Sequence, residues 1–195
     1  MSLPPDLKSQ FPLLSQTING HEIVYLDSAA SSQKPLVVIE AMNNYYRTIN
    51  ANVHRGAYEI AAQATESMEQ ARVRVARFIG APSPNEIVFT KNATESFNLI
   101  ARSWGGKNLG PNDAVLISDM EHHANIVPWQ ILAAEKGFEL RWIPLTPDGH
   151  LDLSQLDQLL DGVKMVSITA MSNVLGTLNP VREIADQAHS LGALI

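Results

Sequence analysis

The spacing of apolar residues along this chain changes several times, and each change marks a predicted element. Residues 23–26, Ile-Val-Tyr-Leu, are a short apolar run that predicts a strand and leads into a small-residue loop over 27–32. From Pro35 onward Val37, Val38, Ala41, Met42, Tyr45, Tyr46 and Ile49 recur at helical spacing, with the proline suited to a first turn. Residues 50–62, containing Val53-His54-Arg55-Gly56, break that period and read as a loop. A second helix follows, with Met68, Ala71, Val75 and Phe78 on one face and Arg72, Arg74 and Arg77 off it. Gly80 stands where a C-terminal helix glycine belongs.

Strands and helices then alternate. The pattern predicts strands over 86–90, 114–118, 138–143 and 163–169, and helices over 95–104, 125–136, 154–160 and 181–191. Gly192 ends the last helix, and Ala193-Leu194-Ile195 begins a further apolar, strand-like run. Strands separated by helices need crossover connections, so the expected fold class is α/β: a mostly parallel sheet with helices on both faces. We expect residues 1–20 to be an N-terminal segment and 21–195 to be one incomplete α/β domain, because the last run reads as a buried strand cut short.

Composition narrows the function classes. The chain is 45% hydrophobic with a formal net charge of -6, and its charges are scattered. Without a Lys/Arg block, neither nucleic acid nor a membrane surface is an expected partner. Cysteine is absent, so a disulfide framework, a Cys-ligated zinc and a cysteine nucleophile are excluded within these residues. The N-terminus lacks a basic-then-apolar signal pattern, and no apolar run reaches the ~20 residues of a membrane span. The expected location is cytoplasmic.

Four segments carry candidate chemistry. Residues 118–130, Ser-Asp-Met-Glu-His-His-Ala-Asn-Ile-Val-Pro-Trp-Gln, put two imidazoles where a strand runs out, the position at which open α/β sheets bind ligands. Adjacent histidines rarely point at one ion, so no metal site is expected; one ring can stack on a planar ligand or exchange a proton, or simply cap a turn. Asn92 with Glu95 resembles a capping box, and the free N–H groups beyond it, with the Thr94 hydroxyl, would suit a phosphate; the plainer reading is an ordinary capped helix. Asn173, in Ser172-Asn173-Val174-Leu175-Gly176-Thr177, follows another strand, where its amide could bond a hydroxyl or carboxylate or just form a turn. Arg55, beside His54, could grip an anion or be a solvated loop cation. Thr94, His122 and Asn173 follow three strands of one expected sheet and so can converge on one pocket.

Taken together, Tyr25-Leu26-Asp27-Ser28-Ala29-Ala30, Val53-His54-Arg55-Gly56, residues 89–95, Glu121 to Gln130 and Ser172 to Thr177 resemble the Suf-type cysteine desulfurases and selenocysteine lyases of the class V aminotransferase fold. The resemblance implies the large domain of a pyridoxal-phosphate enzyme of fold type I. Such an enzyme releases sulfur from L-cysteine, or selenium from L-selenocysteine, leaves alanine, and passes sulfur to an acceptor protein for iron–sulfur cluster assembly. It implies a homodimer, with a C-terminal small domain absent from these residues. By the same resemblance, Ala93 and Thr94 contact the cofactor phosphate, His122 covers the pyridine ring and takes part in proton transfer, and Asn173 lies beside the ring hydroxyl and the substrate carboxylate. His54 and Arg55 line the substrate entrance. One departure is Lys91-Asn92-Ala93, where that family often carries Arg-Gly-Thr, so alanine removes one potential hydroxyl ligand.

The family also uses an aspartate, a cofactor-bearing lysine in Ser-x-His-Lys and a cysteine, all later in its sequences. None of the six lysines here has that setting, so the 195 residues alone are expected to be inactive. Two alternatives remain: a kynureninase-like or epimerase-like member of the same fold, and a non-catalytic dimerisation or docking piece.

Overall fold

The computed structural model describes residues 6–195. It separates into two compact units, one ending at Phe89 and the other spanning Thr90–Ile195.

The first unit opens with short helical turns at Leu7–Gln10 and Pro12–Ser15. A two-stranded antiparallel hairpin follows, β1 (Thr17–Ile18) and β2 (His21–Glu22). Its turn is Asn19-Gly20, with φ of 54° and 81°, the left-handed pair that a tight hairpin turn of the primed type demands. The strand expected over 23–26 does not form: no partner among the described residues pairs with it, and Val24 and Leu26 are exposed. Helix α1 (Leu36–Thr48) begins directly after Pro35.

Helix α2 (Glu59–Ile79) starts inside the expected 50–62 loop and ends at Gly80, whose φ of 74° permits the closing bond from Ala81 N–H to the Ala76 carbonyl. Its buried positions within the unit are Ala61, Ala64 and Ala76. Phe78 and Ala71, expected to point inward, are exposed. Arg72, expected to point outward, is half-buried: its guanidinium bonds Glu69 and the Ile87 carbonyl and lies 5.0 Å over the Phe89 ring. That contact bears on the strand expected over 86–90. Pro84–Glu86 form a turn capped by the Ser83 hydroxyl, the residues beyond run extended without a ladder, and the Ile87 carbonyl is taken by arginine instead of a neighbouring strand.

The second unit follows the expected alternation. Helix α3 (Ala93–Ile100) continues through a wider π turn at Ala101–Gly105 into α4 (Gly106–Asn108). Then come β3 (Ala114–Ser118), α5 (Val127–Lys136), β4 (Glu139–Ile143), α6 (Leu156–Leu160), β5 (Val163–Ser167) and α7 (Val181–Ser190). The sheet is parallel in the order β4-β3-β5. Leu194 adds a further parallel bridge to Met165, so the apolar run after Gly192 does pair as a strand would.

All five residues of β3 are buried, as expected of a central parallel strand covered on both faces. Ala114 and Leu116 pack with Leu156 and Leu160 of α6 and Ile184 and Ala188 of α7. Val115 and Ile117 pack on the other side with Ala101, Trp129 and Leu132. The fold is therefore α/β with helices on both faces of a parallel sheet.

Candidate functional site

The carboxyl ends of β3 and β5 are joined by a polar cluster. After Ser118 the chain turns sharply and Glu121 folds back under it. The Glu121 carboxylate accepts bonds from the Ser118 hydroxyl (2.6 Å), the Asn125 side-chain amide (2.8 Å) and the Thr169 backbone N–H (2.8 Å). Asn125, which is buried, uses all of its capacity. Its NH2 also donates to the Ser167 carbonyl (3.0 Å), and its oxygen accepts from Ser167 Oγ (2.6 Å) and Trp129 Nε1 (3.0 Å). A fully satisfied buried network of this kind is rigid, because any displacement leaves a polar group unpaired.

His122 stands on that base. Its carbonyl accepts from Asn125 N–H (2.8 Å) and its ring Nδ1 accepts from Ala124 N–H (3.1 Å). The second bond needs the lone pair at Nδ1, so the neutral ring carries its proton on Nε2. The His123 ring meets it edge-on, with centroids 5.9 Å apart. Among the described residues no group of three His, Cys, Asp or Glu side chains is placed to hold a metal ion.

Asn92 caps α3, its Oδ1 accepting from Glu95 N–H at 2.9 Å. The Glu95 carboxylate reaches back to Lys91 N–H (2.7 Å), one residue before the position that completes a capping box. Among the described residues the N–H groups of Ala93 and Thr94 have no partner, and they form the positive end of the helix dipole. Thr94 and His122 line one cleft of ≈ 280 Å³, with Asn98, His123, Ala124, Val127 and Pro128 as the other walls. Two open N–H groups and a hydroxyl suit a phosphate, and a flat imidazole beside them suits a planar ring, so the donor set fits a phosphorylated pyridine.

Asn173 lies apart from that cleft lining. It is exposed on the loop after β5, which is tied to the base by Thr169 N–H and internally by Ser172, whose hydroxyl accepts from Val174 and Leu175 N–H. Thr94 does not follow a strand of the sheet, since the segment before α3 is unpaired. The expected arrangement of three residues after three strands therefore holds for two of them. His54 and Arg55 belong to the first unit. His54 has a left-handed φ of 67°, its N–H bonds Thr65 Oγ1 (2.9 Å), and its Nε2 lies 3.1 Å from Glu69; Arg55 is exposed.

Sequence reasoning passed over Glu121, Asn125 and Asn98. Asn98 was open to detection, being four residues beyond Thr94 and so on the same helical face. The Asn125 and Trp129 pair has the same spacing.

The family model described as aminotransferase class-V matches residues 24–195. The chain belongs to the class-V aminotransferase family. This class-V chain is 52% identical over 194 residues to a cysteine desulfurase of Serratia proteamaculans, covering 98% of this chain and 48% of that protein. It is 48% identical over 195 residues to a probable cysteine desulfurase of Synechocystis sp., covering 100% of this chain and 46% of that one. Among solved structures, the apo cysteine desulfurase from Thermococcus onnurineus NA1 aligns with a TM-score of 0.88 and 39% identity, over 99% of this chain and 46% of that one. The cysteine desulfurase CsdA of Escherichia coli, in an S-sulfonic acid form, aligns with a TM-score of 0.83 and 34% identity, over 100% and 48%. The class-V chain thus spans about half the length of the curated relatives it matches. No helix among the described residues is long and apolar enough to cross a membrane.

Proposed function

We propose that these residues supply the N-terminal part of the cofactor-binding domain of a pyridoxal-phosphate-dependent cysteine desulfurase. The carrying observation is that Thr94, at the open N-terminus of α3, and the fixed ring of His122 line one cleft, in a chain whose relatives are named cysteine desulfurases. In this reading Ala93 and Thr94 hold the phosphate and Asn98 narrows the cleft. His122 covers the pyridine ring, and its Nε2–H is the group able to give a proton there. Asn173 receives the ring hydroxyl or the substrate carboxylate, and His54 and Arg55 serve the substrate entrance.

Bound there, pyridoxal phosphate supplies the electron sink for cleaving the cysteine carbon–sulfur bond. The chain's own residues orient it, exclude water from one face and hold a proton at His122 Nε2. The acceptor for the sulfur is a protein of iron–sulfur cluster assembly, the active unit is a homodimer, and the location is the cytoplasm. L-Selenocysteine is a chemically equivalent substrate.

The test is alanine formation from L-cysteine by the full-length protein with and without pyridoxal phosphate. We expect cofactor-dependent, equimolar alanine and sulfide under reducing conditions. A full-length protein that binds the cofactor yet forms no alanine overturns the substrate assignment.

A further inference from the structure

We propose that Glu121 is a positioning residue that sets the tautomer and orientation of His122 against the loop carrying Asn173; its catalytic meaning rests on the function proposed above. Glu121 is not itself among the residues that line the cleft. Its carboxylate gathers one donor from the end of β3, one from the turn after His122 and one from the chain leaving β5. The two loops that bear His122 and Asn173 therefore share one anchor.

All three partners arrive as donors, which matches a carboxylate and matches an amide poorly. Glutamine can keep its oxygen toward Ser118 and Thr169, but its NH2 then faces the NH2 of Asn125. Asn125 cannot turn over to relieve this, because its oxygen is held by Trp129 Nε1 and Ser167 Oγ. The conflict falls on the residue whose backbone N–H holds the His122 carbonyl at 2.8 Å. It thereby loosens the turn in which Ala124 N–H fixes His122 Nδ1. A purely structural role for Glu121 would lower stability and leave the ring's proton where it is.

The experiment uses the full-length protein with isotopically labelled histidine, as wild type, E121Q and S118A, with and without pyridoxal phosphate. Ring-nitrogen NMR reads the His122 tautomer, and amide exchange reads Ala124. We expect wild type to hold a single Nε2–H tautomer. E121Q should show mixed tautomers and Ala124 exchange faster by about tenfold, the loss of roughly one hydrogen bond. S118A, which removes one donor and leaves the carboxylate, should shift the same way by less, and it decides the matter alone if E121Q does not fold. A single Nε2–H tautomer with wild-type exchange in the folded variants overturns the proposal. The cofactor's visible circular dichroism gives a separate reading. If wild type shows no response to pyridoxal phosphate, the proposed function fails, while the cofactor-free tautomer still decides the role of Glu121.

Discussion

The indole N–H of Trp129 donates to Asn125 Oδ1 at 3.0 Å, joining two buried side chains one helical turn apart. Trp129 thus belongs both to the apolar core under the sheet and to the polar base of the site. Trp129→Phe keeps most of the ring and leaves Asn125 Oδ1 still bonded to Ser167, so it should cost about 1–2 kcal/mol. Asn125→Ala strands the Trp129 N–H and removes a donor from Glu121, and should cost about 3 kcal/mol or more. Urea unfolding at constant m-value separates the two.

Gly105 is packed too tightly to be replaced. A Cβ there would stand 2.8 Å from Leu132 Cδ2 and 3.3 Å from Trp129 Cζ3. Alanine is the better helix former by about 1 kcal/mol, yet Gly105→Ala should be net destabilising, since overpacking a filled core costs about 1–3 kcal/mol. A rise in the thermal midpoint would contradict this.

Thr94→Ala removes the hydroxyl from the proposed phosphate cradle while leaving both open N–H groups in place. Pyridoxal-phosphate affinity should fall by about tenfold, whereas affinity for pyridoxal, which lacks the phosphate, should change little. Equal losses for the two ligands would show that Thr94 acts on the cleft's shape instead. Absorbance titration of each ligand reads the difference.

On the surface, Arg141 bonds Glu139 (2.7 Å), the Leu159 carbonyl (3.1 Å) and the Asp161 carbonyl, tying β4 to the end of α6. The Arg141 hydrogen bond, helped by its charge, holds the Glu139 carboxyl below its ordinary value, against a small opposing effect of burial. A lowered folded-state pKa stabilises fully above the ordinary glutamate value of about 4.3 and loses that contribution as pH falls below it. Because the pair is exposed, the loss is at most about 1 kcal/mol. Glu139→Gln should flatten that part of the stability curve between neutral and acid pH and leave the rest unchanged.

Much of the second unit was legible because its signals are local. The apolar run Ala114 to Ile117, closed by Ser118, bounds β3 without error, and Gly137 ends α5 in a left-handed cap, as Gly80 ends α2 in the first unit. The Asn19-Gly20 turn is an equally local signal, but its strands are two residues each and carry no apolar alternation, unlike the more apolar run at 23–26 that does not pair. The run at 86–90 has strand composition, yet the Ile87 carbonyl pairs with Arg72, a contact that no local pattern encodes. Glu121 was invisible for a related reason. Its bond to Thr169 spans 48 positions, and in sequence it is only the first residue of a histidine motif. The inward face of α2 failed differently: apolar spacing marked Phe78 as core, although the unit containing α2 leaves that ring exposed.

The order β4-β3-β5 has a consequence for synthesis on the ribosome. The central strand, Ala114–Ser118, is made before either of its neighbours, and β5 is made only after β4 and α6 have followed. Until β4 emerges five apolar-rich residues destined for complete burial have unpaired backbone on both edges, and one edge stays open until β5 follows. A newly made chain therefore carries its stickiest segment exposed for as long as the crossovers take to emerge, and that segment is where a nascent-chain chaperone has most to protect.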